Sequence, residues 1–248
     1  MKRLLLCSGV YGKKAAIERL RRLATDRRPD AILFAGGILS QQRPTVPCST
    51  SEWGLTTADE RFAFEFGAAL GALGVFSAVI PEPNFVPEDE FCRLAMAVEL
   101  EFPNVHVAHA TLVEAHDLAV CGLGIAIAEQ ALMREDSYSR VRAQYFLRAL
   151  GSSCKPRKVL LLPEPPPGPL GGQEGNAIVG DLIDWLRPSL CVVAGRTERR
   201  GLQRIASTLI VNPGHLADGS AAWLDWGRGD EVEFLDCNSG AVIRENSP

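Results

Sequence analysis

The residues of this chain whose types could do chemistry are two carboxylates, a few arginines and one glycine-rich turn. Glu164 follows the apolar run that ends at Pro163, and Arg196 and Glu198 follow the run that ends at Gly195. Paired carboxylates whose surroundings set their pKa values apart can serve as general acid and general base. The turn Gly9-Val10-Tyr11-Gly12-Lys13 brings glycines and a lysine to the start of a helical pattern. Backbone amides at such a turn, backed by the helix dipole, can hold an anion. It is not a P-loop, because Cys7 stands where the first glycine is needed and Lys14 replaces the Ser/Thr. Together with Arg196, Arg199 and Arg200, the turn would let a cleft keep a phosphate-bearing ligand without cleaving it. Cys121-Gly122-Leu123-Gly124 opens like a dinucleotide fingerprint, but Ile127 stands where the third glycine belongs, so it reads as close backbone packing.

The elements that position these residues can be read from apolar periodicity. Residues 4–7 form a short apolar run, 13–24 a helical pattern with Ala16, Leu20 and Leu23 on one face, and 30–35 a second run. That β-α-β order favours parallel strands with a right-handed crossover. A loop rich in Ser, Thr, Gln and Pro spans 40–56, and Thr57-Ala58-Asp59-Glu60 reads as a capping box. The helix it opens runs to about Leu73, before a strand at 75–80 and a helix at 87–101. From 105 to 123 the pattern is a meander of short strands turning at His116, which implies a mixed sheet. A helix from about Asp136 is expected to end on a left-handed Gly151. Then follow a strand at 159–162, a Pro/Gly loop at 163–175, a helix at 176–186 and a strand at 190–194. Short strands at 208–211, 221–225, 231–235 and 241–243 complete the chain.

Strand-to-loop junctions at Gly9, Gly36, Pro81, Pro163 and Gly195 should line one cleft, since open α/β sheets bind ligands beyond the carboxyl ends of their strands. The segments at these junctions are Ser8-Gly9-Val10-Tyr11-Gly12, Ala35-Gly36-Gly37-Ile38, Ile80-Pro81-Glu82-Pro83-Asn84-Phe85, Leu162-Pro163-Glu164-Pro165-Pro166-Pro167 and Ala194-Gly195-Arg196-Thr197-Glu198, followed by Asn212-Pro213-Gly214. In order and spacing they resemble the calcineurin-like metallophosphoesterases, which read roughly S-D-x-H-G, G-D-I, G-N-H-D, H-x-P-P, G-H-T-H and N-P-G-S at these places. The resemblance covers Leu4 to about Phe234. It implies an α/β fold, a four-layer αββα sandwich of two mixed β-sheets flanked by helices, as a single domain over 1–248.

The same resemblance implies that the metal ligands are gone. The family's first Asp and His fall on Gly9 and Tyr11, and its bridging Asp on Gly37. Its metal-binding Asn falls on Pro83 and its catalytic His on Asn84. The His before the prolines falls on Glu164, and the two later His on Arg196 and Glu198. Glycine offers no ligand, and Arg196 would place a permanent positive charge where a cation belongs. His215 replaces the serine of N-P-G-S and borders the cleft. The expectation is an inactive member, a pseudoenzyme with no metal, no cofactor and no catalytic residues. Gly9, Tyr11, Gly37, Asn84, Glu164, Arg196, Glu198 and His215 would line its former active site. Glu164, Glu198 and Arg196 are expected to form an ion-pair network filling the volume that metals once held. The alternative is a diverged hydrolase with Glu164 or Glu198 as acid and base.

Composition narrows the partners. Length and a 46% hydrophobic content suit a large single core, and a net charge of −4 gives no reason to expect nucleic acid. No run approaches the roughly 20 apolar residues of a membrane span. The odd count of seven cysteines, with no C-x-x-C, points to a reducing, cytoplasmic setting. His106, His109 and His116 read as solvent-facing or internally satisfied. A small phosphate-bearing ligand or a protein partner, a second copy included, fits these readings.

Overall fold

The computed structural model describes residues 1–39, 58–81, 88–129, 137–229 and 231–245. In the first sheet β1 (Arg3–Cys7), β2 (Ala31–Phe34), β3 (Phe76–Val79) and β4 (Val105–Val107) run parallel in that order. The helices α1 (Lys14–Arg27), α2 (Ala58–Ala72) and α3 (Glu88–Glu101) stand between them in the chain. On the other side of β1, the antiparallel β13 (Ser220–Asp225), β14 (Val232–Asp236) and β15 (Val242–Glu245) extend the sheet to seven strands. The second sheet holds six, in the order β11 (Gly201–Ile205), β12 (Thr208–Asn212), β10 (Leu190–Val193), β9 (Arg157–Leu162), β6 (Leu118–Gly122) and β5 (Val113–Ala115). Its outer face carries α4 (Arg140–Ser152) and α5 (Ala177–Leu186).

Each central strand is apolar on both faces because both are covered. Leu4 and Leu6 of β1 meet Val159 and Leu161 of β9 between the sheets. Leu5 and Cys7 face the other way, against Leu20 of α1 and Phe66 of α2. Leu160 and Leu162 of β9 pack beneath Leu147 of α4 and Val179 of α5. The result is helices, sheet, sheet, helices. Parallel β1, β2 and β3 end on the same side, which brings the loops after Cys7, Phe34 and Val79 together.

Four details depart from the sequence pattern. The meander divides: β4 joins the first sheet, while β5 and β6 form a hairpin in the second, so the chain crosses between layers after Val107. A short strand β8 (Ser137–Ser139), paired with β7 (Ala126–Ala128), precedes α4, which starts at Arg140 with Ser139 Oγ accepting from the Arg142 amide. Gly151 lies inside that helix, and the exit residue Ser153 is extended, so no left-handed glycine ends it. Thr57 of the capping box lies outside the described residues, and Glu60 is buried with Arg93 Nη2 at 2.5 Å, an ion pair tying α2 to α3. Strand β11 carries no apolar run and was invisible to periodicity.

Two close contacts fix this packing. A Cβ on Gly122 would stand 2.5 Å from the Leu161 carbonyl oxygen of the neighbouring strand. Gly122→Ala should therefore lower the unfolding free energy by about 1–3 kcal/mol in urea titration. At the edge of β1, Asp30 accepts from the Lys2 and Arg3 amides and pairs with the Arg3 guanidinium at 2.7 Å. These donors, Arg3 first, hold its carboxyl far below the usual range. A lowered carboxylate pKa contributes stability above the unfolded-state value and loses it as pH falls. Asp30→Asn should therefore flatten the loss of stability between pH 5 and about pH 2.

Candidate functional site

The loop after β1 and the loop after β2 are zipped together. Gly9 donates to Gly36 O at 2.9 Å, Val10 and Tyr11 both donate to Gly37 O, Gly12 donates to Ile38 O, and Lys13 donates to Val10 O. Gly9, Gly12, Gly36 and Gly37 all have positive φ, as this tight pairing requires. The expected anion nest is therefore absent at this turn: the N–H of every residue from Gly9 to Lys13 already has a carbonyl partner.

Tyr11 sits in the left-handed region at φ 48°, which turns its ring across the cleft. The ring stands edge-on to His215, with centroids 5.0 Å apart and an interplanar angle of 89°. His215 is 5% exposed. Its Nε2 lies 2.9 Å from Gly195 O and 3.2 Å from Tyr11 Oη, and Tyr11 Oη donates to the same carbonyl at 3.3 Å. Asp218 Oδ2 stands 3.3 Å from His215 Nδ1, and Lys13 Nζ reaches the same carboxylate's Oδ1 at 3.4 Å. One side-chain pair thus ties the loops after β1, β10 and β12 to each other. The backbone around His215 is held equally firmly. Leu216 and Ala217 donate to Ser8 O and Gly9 O, Ser8 Oγ donates to Gly214 O, and Asn212 Oδ1 accepts from the Gly214 amide.

Of the residues singled out from sequence, Gly9, Tyr11, Gly37 and His215 converge, and Asn84 lies outside the described residues. Glu164 and Glu198 take other work. Glu164 accepts from Asn176 Nδ2 at 2.8 Å, steadying the residue whose Oδ1 caps α5. Glu198 accepts from Ser220 Oγ at 2.7 Å. Arg196 is exposed, and among the described residues it pairs with neither carboxylate, so the expected ion-pair network does not form. What fills the volume is aromatic instead. Arg199 lies over Gly172 and Arg200 over the Phe234 ring, so the arginines diverge rather than gather. Asp218 was missed, and so was the part played by the Gly195 carbonyl. A backbone carbonyl leaves no mark in a sequence, whereas the spacing of Asp218 three residues after His215 was a usable signal.

The fit of a two-metal centre can be tested directly. A Cβ on Gly9 would lie 2.8 Å from Tyr11 Cε2 and 2.9 Å from His215 Cδ2. A Cβ on Gly37 would lie 2.9 Å from Gly9 Cα and 3.0 Å from Tyr11 Cε1. The two positions that would supply the carboxylates have neither ligand atoms nor room for them. Among the described residues no three His, Cys, Asp or Glu side chains stand where they could hold a metal ion. The described residues do not fit the group. His106 stacks on Phe76, and His109 Nδ1 accepts from the Gly124 amide while its Nε2 faces Tyr138 Oη, so these rings serve packing. Burial pushes the Cys121 thiol up to about 12 and those of Cys7 and Cys191 higher, which removes them as nucleophiles near neutral pH.

The model of the family described as metallophosphoesterase, calcineurin superfamily, matches residues 1–236, and the chain belongs to that family. It is similar to the crystal structure of TT1561 of Thermus thermophilus, with 25% identity, a TM-score of 0.74, and coverage of 99% of this chain and 98% of that one. It also shares its fold with the 5'-nucleotidase of Candida albicans, with 8% identity, a TM-score of 0.58, and coverage of 96% of this chain and 52% of that one. Comparison with curated proteins finds no match. No described helix is long and apolar enough to cross a membrane.

Restoring a carboxylate to the cleft should harm the protein rather than repair it. Gly37→Asp is expected to cost about 2–4 kcal/mol by urea titration, from steric overlap and an unfavourable positive φ. Tyr11→Phe, which keeps the ring and removes Oη, should cost only about 0.5–1.5 kcal/mol in the same measurement.

Proposed function

We propose that this chain is a catalytically inactive member of its family, a pseudoenzyme that binds a ligand or partner without two-metal phosphoester hydrolysis. The observation that supports this reading is the space at Gly9 and Gly37, which the Tyr11 ring and His215 already occupy. Two divalent cations about 3.5–4 Å apart need bridging anionic ligands to offset their repulsion. Glycines cannot supply them.

A phosphate-bearing small molecule would be met by side chains rather than by the turn amides. Arg196, exposed beside Gly195, and Lys13, exposed beside Asp218, are the cations next to the Tyr11–His215 pair. A protein partner would use the same rim. We place the protein in the cytoplasm, where the buried thiols of Cys7, Cys121 and Cys191 stay reduced. The reading as a diverged hydrolase lacks a comparable observation, since Glu164 and Glu198 each accept from residues that secure loops.

The test is a phosphodiesterase assay with bis-p-nitrophenyl phosphate and added Mn²⁺, in which turnover should not exceed the buffer rate. Manganese-dependent turnover that disappears in a cleft variant would contradict the proposal. Ligand retention is read separately, from thermal shifts with inorganic phosphate and nucleoside monophosphates. A ligand at 100 times its Kd adds about 2.7 kcal/mol to the native state, so the midpoint should rise, and it should rise less in Arg196→Ala.

A further inference from the structure

Two helices on opposite outer layers are apolar on the face that does not meet the core. α3 buries Leu94, Ala97 and Val98, yet it also exposes Cys92, Met96 and Leu100 at four-residue intervals, the last two 63% and 74% exposed. α4 buries Ala143, Leu147 and Leu150, and exposes Val141 and Tyr145 at 73% and 59%, again four apart. An amphipathic surface helix needs one apolar stripe for its own sheet. A second stripe, turned to solvent, marks an interaction surface.

Their charges are opposite. α4 contains Arg140, Arg142 and Arg148 and no acidic residue, and with Arg140 paired to Glu129 and to Asp181 of α5 its basic character rests on Arg142 and Arg148. The Arg148 guanidinium lies 3.6 Å from the centroid of the Tyr145 ring, within the exposed stripe. At its C-terminal end α3 carries Glu99 and Glu101, both exposed, and its one basic residue, Arg93, is paired with Glu60 of α2. Tyrosine beside arginine is the composition of an interface centre.

We propose that the acidic stripe of α3 on one molecule docks against the basic stripe of α4 on a second copy of this chain. Both complementary faces are present in every molecule, so no third component is needed. α3 packs on the first sheet and α4 on the second, with both sheets between them. The contact is therefore head-to-tail: each copy leaves one stripe free to bind the next, and the assembly is open rather than a closed twofold pair. A single helix-on-helix contact buries less than the roughly 800 Å² per partner of a standard interface, so association is weak and concentration-dependent. It does not involve the Tyr11–His215 cleft, so it stands or falls independently of the proposed loss of catalysis.

Sedimentation velocity on the full chain tests it, with Met96→Lys to disable the α3 stripe by repelling the arginines of α4 and Tyr145→Glu to disable the α4 stripe. Both positions are solvent-exposed, and circular dichroism checks that each variant keeps its fold. Wild-type mass should rise with concentration between about 10 μM and 1 mM, and it should rise less in roughly 0.5 M salt, where the charges are screened. Each variant alone should stay monomeric. An equimolar mixture of the two should form a 1:1 dimer and nothing larger, because each retains the stripe that the other lacks. A wild-type protein that stays monomeric throughout, a single variant that still associates, or a mixture that remains monomeric would each overturn the proposal.

Discussion

The cleft of this protein is organised around one carbonyl oxygen. Gly195 O sits 2.9 Å from His215 Nε2 and 3.3 Å from Tyr11 Oη, and the two rings meet edge to face over it. A polar ring buried in a cleft needs a partner for its N–H, and a backbone carbonyl that cannot move away is a stable one. Once those rings are in place, the positions on either side must be small. Gly9 and Gly37 are then requirements of the packing and not just missing ligands, because their Cβ space is occupied.

The surrounding fold does not depend on what fills the cleft. Parallel pairing of β1 with β2, and of β9 with β10, is held by main-chain ladders and by apolar layers on both faces. Residues on loops at strand ends can be exchanged without touching those ladders. The loops of this chain are constrained by their own contacts. The amides of Gly9 to Gly12 bind the neighbouring loop rather than a ligand, and Asp218, drawn to His215 and Lys13, secures the turn that follows β12.

Much of this was legible in the sequence, for physical reasons that differ by element. Fully buried strands such as β1, β9, β10 and β12 announce themselves as unbroken apolar runs, and α5 carries a sequence-readable cap in Asn176 and a stop in Pro188. Edge strand β11, with Gln203 and Arg204 in its middle, has no such run. The split of the apparent meander into two sheets was unreadable because β4 and β5 look alike locally, and only long-range pairing separates them. Gly9, Tyr11, Gly37 and His215, which the motif order assigned to one cleft, stand together in the structure. The ion-pair network expected of Glu164, Arg196 and Glu198 does not form among the described residues, because the two carboxylates accept from Asn176 and Ser220 instead. The Tyr11–His215 pair was hidden because its members are 204 residues apart and share a partner that has no side chain.

Equilibrium Mn²⁺ binding, followed by the electron paramagnetic resonance of the free ion, tests the central claim most directly. With Tyr11 and His215 across the cleft, the signal of added Mn²⁺ should match that of buffer at micromolar metal and comparable protein. Saturable loss of that signal at two ions per chain, abolished by a substitution in the cleft, would show that the pocket still holds the metals that this packing leaves no room for.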